Sequence, residues 1–264
     1  MGFYEFDMQK GFCSLEGRKG LVLGLANESS IAAAAIRKLH ELGAQLQVSC
    51  LNERAKPFAG KVTEPLGVKL MACDVDVPGQ LEHFIQEAVQ DMGGLDFVVH
   101  SIAWAPAEDL HGRVVDSSRE GFAKAMSLSC HSFAEVARLV LPNLNPGASL
   151  VTMSYHGAEE VVPSYGIMGP VKAALESTVR YLAADLGPLG YRVHAVSPGP
   201  ILTRAASGIR DFDELMTMAQ ERSPLRRLVT IEEVANLTAF LCSSESSGMT
   251  GQTIYVDGGF NFMA

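Results

Sequence analysis

The sequence has no apolar run approaching the ~18–20 residues that span a bilayer, so no membrane helix is expected. Its first twenty residues carry Glu5, Asp7, Lys10, Glu16, Arg18 and Lys19, which interrupt any signal-peptide core. Positive charge is in deficit: 21 Lys and Arg against 30 Asp and Glu leave a formal charge of −9. That balance disfavours nucleic acid or an anionic membrane as the main partner. The five cysteines (Cys13, Cys50, Cys73, Cys130, Cys242) are odd in number, scattered, and lack metal-ligand spacing. They read as reduced, buried thiols of a soluble cytoplasmic protein, with neither a disulfide framework nor a metal site.

What is present is an ordinary globular balance, 47% hydrophobic and 19% charged over 264 residues, enough for one large core. A single domain over 1–264 is expected. Short, nearly continuous apolar runs at 20–25, 45–50, 69–73, 97–100, 150–153, 192–196 and 253–256 predict about seven strands covered on both faces. Amphipathic stretches at 30–42, 80–92, 118–141, 164–186 and 231–243 predict helices between them. Such alternation implies an α/β, doubly wound parallel sheet of Rossmann type with right-handed crossovers. Two connections are too long to be plain links, 103–116 and 199–222. Both follow strand ends, where ligands of open α/β sheets bind, and 199–222 is the candidate substrate lid.

The first strand runs into G-L-A-N-E-S-S-I (24–31), a tight turn that opens a helix. Gly24 would allow close backbone approach, and Ser30 would cap a helix N-terminus facing a phosphate. The run departs from G-x-G-x-x-G, and a plain strand-to-helix turn with a serine cap reads it equally well. Asp74 after the third strand suits an adenine amino group, or else caps the next helix. Ser101 and small neighbours after the fourth strand suit a ribose, or else begin a loop. All three features fall at carboxyl ends of strands, which together favours a dinucleotide. Near the second strand tip Glu53 argues for NAD, whereas Arg54 and Lys56 argue for NADP. The reading leans to NADH, with NADPH left open.

Tyr165 and Lys172 are seven residues apart, which predicts two turns along one helix face. A lysine ammonium there would stabilise a phenolate and lower the tyrosine's ordinary pKa near ~10. The alternative is a buried tyrosine and a surface lysine. Gly169-Pro170, inside the same helical pattern, predicts an irregularity or a kink.

Taken together, these motifs resemble the short-chain dehydrogenase/reductase superfamily over nearly the whole chain, with S-P-G-P-I (197–201) and D-G-G (257–259) as further landmarks. The superfamily's usual Tyr-x-x-x-Lys is absent: Met168 stands at the tyrosine position and Tyr155 at the usual serine. Tyr155, Tyr165 and Lys172, with H-S-I-A (100–103), G-A-E-E-V-V-P-S-Y (157–165), A-A-S-G-I (205–209) and R-R-x-V-T-I-E-E-V (226–234), resemble the divergent branch of bacterial enoyl-acyl-carrier-protein reductases. The resemblance implies that Gly24, Ser30, Ile31, Asp74, Val75, Ser101, Ile102, Lys172 and Ile201 line NADH. It implies that Tyr165 bonds an enoyl thioester oxygen, with Tyr155 beside it, and that Lys172 holds the cofactor ribose. Ala103, Trp104, Tyr155, Met168, Ile209 and Phe212 become candidates for the acyl pocket, with core packing an equal reading of Met168 and Ile209. A homotetramer is likewise implied only by the resemblance.

Departures matter as well. Leu51 replaces a usual polar residue near the second strand tip, and Leu202 and Arg204 flank Thr203 in an unusual order. The lid carries Asp213-Glu214 where the family is often basic, leaving Arg210, Arg226 and Arg227 as a docking patch for an acidic carrier. The thioester partner is therefore an acyl-carrier protein or coenzyme A. Two competing functions are a carbonyl or hydroxysteroid dehydrogenase, opposed by Met168, and a dinucleotide-binding protein without turnover, opposed by the Tyr165/Lys172 pair.

Overall fold

The computed structural model describes residues 11–203 and 212–263. Within them, strands β1 (Lys19–Leu23), β2 (Gln45–Cys50), β3 (Lys69–Ala72), β4 (Leu95–His100), β5 (Leu144–Met153), β6 (Arg192–Pro198) and β7 (Gln252–Val256) form one sheet. Its order is β3-β2-β1-β4-β5-β6-β7, and every pairing is parallel. The predicted α/β class, strand number and Rossmann-type winding are thus observed. The order reverses between β1 and β4, which opens a crevice beyond their carboxyl ends.

Helices α1 (Ile31–Glu41), α2 (Lys56–Thr63), α3 (Gln80–Met92), α4 (Ala107–His111), α5 (Arg119–Met126), α6 (Ser132–Val140), α7 (Met168–Leu186), α8 (Phe212–Arg222) and α9 (Ile231–Cys242) supply the outer layers. The strands sort their side chains by alternation. Val193 and Ala195 of β6 join a core with Phe84 of α3, Phe133 of α6 and Leu175 of α7. Val196 of the same strand joins an opposite core with Ile36 of α1 and Val234 of α9. Every residue of β4 and β6 is buried, so their near-continuous apolar character follows from having two covered faces. Each such buried aliphatic side chain contributes about 1.5–3 kcal/mol.

Several boundaries differ from expectation. The 118–141 stretch is not one regular helix: a π-helical segment, Ser127–His131, separates α5 from α6. The long connection at 103–116 contains α4 and a 3₁₀ turn, and α8 begins at Phe212 inside the second long connection. Helix α7 begins at Met168, four residues later than periodicity suggests, because Ser164 and Gly166 take positive φ angles of 64° and 52° that no helix admits. Gly169 and Pro170 then fall in the first turn of α7, where a missing backbone N–H has no partner to lose, and no kink is needed. The R-R-x-V-T-I-E-E-V motif is the start of α9: Thr230 and Glu233 form a reciprocal capping box, and Arg227 pairs with Glu233 at 2.6 Å. Among the described residues no helix is long and apolar enough to cross a membrane.

Candidate active site

The crevice begins where β1 ends. Gly24 has φ +95°, and a Cβ there would lie 2.3 Å from the Ser101 carbonyl oxygen and 2.9 Å from the Ile102 side chain. Only glycine lets the β1 turn pass so close to the end of β4. Ser101 N–H donates to the Leu23 carbonyl at 2.9 Å, closing the two strand ends together. Ser30 is the N-cap of α1: its hydroxyl accepts from Ala33 N–H at 3.2 Å and donates to the Asn27 carbonyl at 2.7 Å. Ile31 is the first helical residue, and no acidic side chain occupies the first turn of α1. The positive end of the helix dipole therefore faces the turn uncompensated, which suits a pyrophosphate.

Asp74 does not cap the helix after β3. The N-cap of α3 is Gly79, and the Asp74 carboxylate instead accepts from Asp76 N–H at 3.0 Å within its own turn. Val75, Ser101, Ile102 and Ile201 are half-buried at the same rim. Near the β2 tip, Lys56 pairs with Glu53 at 2.7 Å, so these two opposite hints about the cofactor engage each other. The donor chemistry of this rim fits a dinucleotide: a close-approach glycine, a bare helix N-terminus and polar strand ends. Among the described residues no cluster of side chains is suited to a metal ion.

Tyr165 and Lys172 do not share a helix face. Tyr165 sits in the turn before α7, between the two positive-φ residues, and its carbonyl accepts from Met168 N–H at 3.2 Å. Lys172 lies in the second turn of α7 and is buried, against the reading of a surface lysine. Its ammonium donates to the Met153 carbonyl at the end of β5, 2.6 Å away. Burial pushes Lys172 down to about 8, against smaller opposing pulls from Cys130 and Glu176. Tyr165 also departs from expectation: burial, then Tyr155 and Glu176, push its hydroxyl above the usual tyrosine range rather than below it. Burial of Tyr165 thus favours the neutral phenol over the phenolate.

Tyr155 meets Tyr165 edge-on, with ring centroids 4.8 Å apart and planes at 62°. The Tyr155 hydroxyl is buried without a hydrogen-bond partner among the described residues, an orphaned polar atom beside the Tyr165 ring. Gly157 makes the pair fit, since a Cβ there would lie 2.5 Å from the Tyr165 ring and 3.3 Å from the Tyr155 ring. Met168 is buried in the core with Tyr165, while Ala103 and Trp104 are exposed. Ile209 and Arg210 lie outside the described residues, as does the side chain of Phe212. Of the expected docking arginines, Arg227 is held by Glu233, and Arg226 donates to the Glu221 carbonyl.

A second set of residues, of which the sequence had marked only His100 through the 100–103 motif, supports these. Buried His100 at the end of β4 bonds Thr152 through Nδ1 at 3.0 Å and Ser132 through Nε2 at 2.9 Å. Ser132 in turn donates to the Leu128 carbonyl at 2.7 Å, inside the π-helical segment. Burial, then the Lys172 charge, push His100 down to about 3, so the imidazole is neutral and serves as a brace. From the same segment, Ser129 accepts from the Trp104 N–H at 2.7 Å and donates to the Trp104 carbonyl at 2.8 Å. The irregular helix thus fixes the loop beside the crevice. Only the unbroken apolar periodicity of 118–141 was visible beforehand, and it gave no sign of the extra residue per turn.

Residues 24–261 match the model of the family described as Enoyl-(Acyl carrier protein) reductase. The chain is 41% identical over 252 residues to the enoyl-[acyl-carrier-protein] reductase [NADH] of Escherichia coli, covering 95% of this chain and 96% of that protein. It is also 41% identical to enoyl-[acyl-carrier-protein] reductase [NADH] 2 of Rhizobium meliloti, with 94% and 92% covered. The crystal structure of the Aquifex aeolicus enoyl-[acyl-carrier-protein] reductase (NADH) superposes with TM-score 0.91 at 40% identity, covering 95% and 98%. That of the Bacillus cereus enoyl-acyl carrier protein reductase with NADP+ and indole naphthyridinone gives TM-score 0.92 at 39% identity, covering 95% and 98%.

The burial of Lys172 has a measurable pH signature. Its folded pKa of about 8 lies below the ordinary 10.5, so the folded state carries the full cost of the charge below pH 8 and sheds it as pH rises toward 10.5. Relative to Lys172→Met, the wild-type protein should gain about 2 kcal/mol of stability between pH 7 and pH 10. Urea unfolding of both proteins at the two pH values checks this, and a constant difference would show that the lysine titrates normally.

Proposed function

The chain belongs to the enoyl-acyl-carrier-protein reductase family, and on that premise we propose that it reduces the trans-2 double bond of an enoyl-acyl-carrier protein with NADH during fatty-acid elongation. The observation that carries the reading is the Tyr155–Tyr165 edge contact, with an orphaned buried hydroxyl, next to the strand end that holds Lys172. A ketoreductase needs a tyrosine at 168, and that position is a core methionine.

NADH, when bound, supplies the hydride that reaches the β-carbon of the substrate. Gly24, Ser30, Ile31, Asp74, Val75, Ser101, Ile102 and Ile201 would hold the dinucleotide along the rim. Lys172, fixed on the Met153 carbonyl, would donate its remaining N–H groups to the ribose hydroxyls and lend positive potential to the crevice. Tyr165, kept protonated by burial, donates its hydrogen bond to the thioester oxygen, where negative charge accumulates as the double bond is reduced. Tyr155 orders the Tyr165 ring from its edge, and its hydroxyl is free to meet a polar atom of the ligand.

Ala103, Trp104, Met168, Ile209 and Phe212 remain the proposed acyl wall, with residues 199–222 as the lid over it. Asp213 and Glu214 in the first turn of α8 and the engagement of Arg227 bear alike on both anionic carriers, so carrier-protein and coenzyme A thioesters are compared directly. A cytoplasmic homotetramer completes the proposal. Five free, buried cysteines support the compartment.

Crotonyl thioesters of carrier protein and of coenzyme A, each with NADH and NADPH, should show cofactor oxidation near ~340 nm, fastest with NADH. No oxidation in any combination overturns the reading. Tyr165→Phe should lower kcat by about 10²–10³ while leaving the NADH Kd within about twofold. Gly157→Ala, which drives a methyl group into the Tyr165 ring, should lower kcat roughly tenfold, again without weakening NADH.

A further inference from the structure

Helix α7 carries a second buried charged group that the mechanism leaves unused. Glu176 follows Lys172 by four residues, one turn along the same face, and is only 3% exposed. Ser154 donates to its Oε1 at 2.5 Å, and the Thr253 hydroxyl of β7 also bonds the carboxyl. Ser154 is itself buried, and its backbone N–H donates to the Val196 carbonyl at 2.7 Å. In sequence Ser154 stands between Met153, whose carbonyl holds the Lys172 ammonium, and Tyr155 of the aromatic pair. One short strand end is therefore tied to α7 twice, through Lys172 to Met153 and through Glu176 to Ser154.

We propose that Glu176 is a positioning residue for the reduction, its buried carboxylate set one turn from Lys172 and fastening the Met153–Tyr155 strand end to the helix through Ser154. The inference rests on the NADH reading of the site given above and adds to it a residue that touches neither cofactor nor substrate.

The electrostatics agree in sign. The Glu176 charge raises the Lys172 pKa against the dominant effect of burial. Burial in turn raises Glu176, and the Ser154 hydrogen bond is the largest influence opposing that rise. The other groups facing the pair are Glu159 after β5, Arg180 on α7, Tyr255 on β7 and Tyr165, with Cys130 and His100 facing Lys172. Of these, Arg180 is a competing cation for Glu176, and it acts less on the carboxyl than Ser154 does. Glu176 therefore supports the charge on Lys172 alongside Cys130, while Ser154 and Thr253 favour the ionised form of Glu176 itself.

The test is the NADH Kd, followed by fluorescence between pH 6 and pH 9 in the full-length protein. Wild-type affinity should fall only as pH rises through about 8, where Lys172 loses its proton. Glu176→Gln keeps an acceptor for Ser154 but removes the charge. It should bind NADH within about twofold of wild type at pH 6, with the midpoint of the fall moved to lower pH. Ser154→Ala, which removes the donor favouring the ionised carboxyl, should move the midpoint in the same direction by less, and provides an independent variant if the first does not fold. Coincident curves for wild type and variants overturn the role of Glu176, as does an equal loss of affinity at every pH, which marks a purely structural residue. A wild-type protein that binds no NADH at any pH overturns instead the reading of the site.

Discussion

An ammonium group enclosed between a helix and a strand end must find an acceptor, and in this protein the acceptor is the Met153 carbonyl. The rest of the site is arranged around that bond. It fixes α7 against the carboxyl end of β5, two residues before Tyr155 of the aromatic pair. It also brings the lysine charge close enough to oppose protonation of His100. The sheet order serves the same end, since β4 and β5 deliver His100 and Thr152 in register to a single hydrogen-bonded brace. A fold of this kind can hold this buried cation because its two cores flank the strand end and helix that enclose it.

Most of the architecture could be read from the residues, because a sheet covered on both faces writes itself as short apolar runs. The 45–50 strand and the 80–92 helix agree with the structure at both ends. Turn chemistry was legible where one residue type does one job: Gly24 at a close approach, Ser30 at a helix cap. What escaped were features set by conformation rather than composition. Tyr165 looked helical by spacing because Ser164 and Gly166 give no hint that they adopt positive φ in this context. The π-helical segment was hidden for the same reason, since Leu128, Cys130 and Phe133 satisfy a helical apolar pattern whether or not one turn is widened. Ionisation was least legible of all. The sequence placed a lysine near a tyrosine and suggested a phenolate. Burial decides otherwise, and the depth of a pocket is not encoded in spacing.

Two mixed-charge segments show how sequence can raise a question that geometry then simplifies. Glu53 and Lys56 pointed to different cofactors, yet they pair with each other at the β2 tip. Arg226 and Arg227 looked like a docking patch, yet Arg227 pairs with Glu233 of the capping box that starts α9. In both cases a nearby opposite charge accounts for the residue before any ligand is invoked.

The turn that carries Tyr165 has a consequence for how such a protein can diverge. A donor and a cation mounted on one helix are locked in separation, and any change of reach must move both. Here the donor rides on a short hinge ahead of the helix, while the cation is seated within it. Small edits in that turn could move the tyrosine without disturbing the bond from Lys172 to the Met153 carbonyl. The fold thus separates the placement of the donor from the placement of the cation, and lets the two drift at different rates.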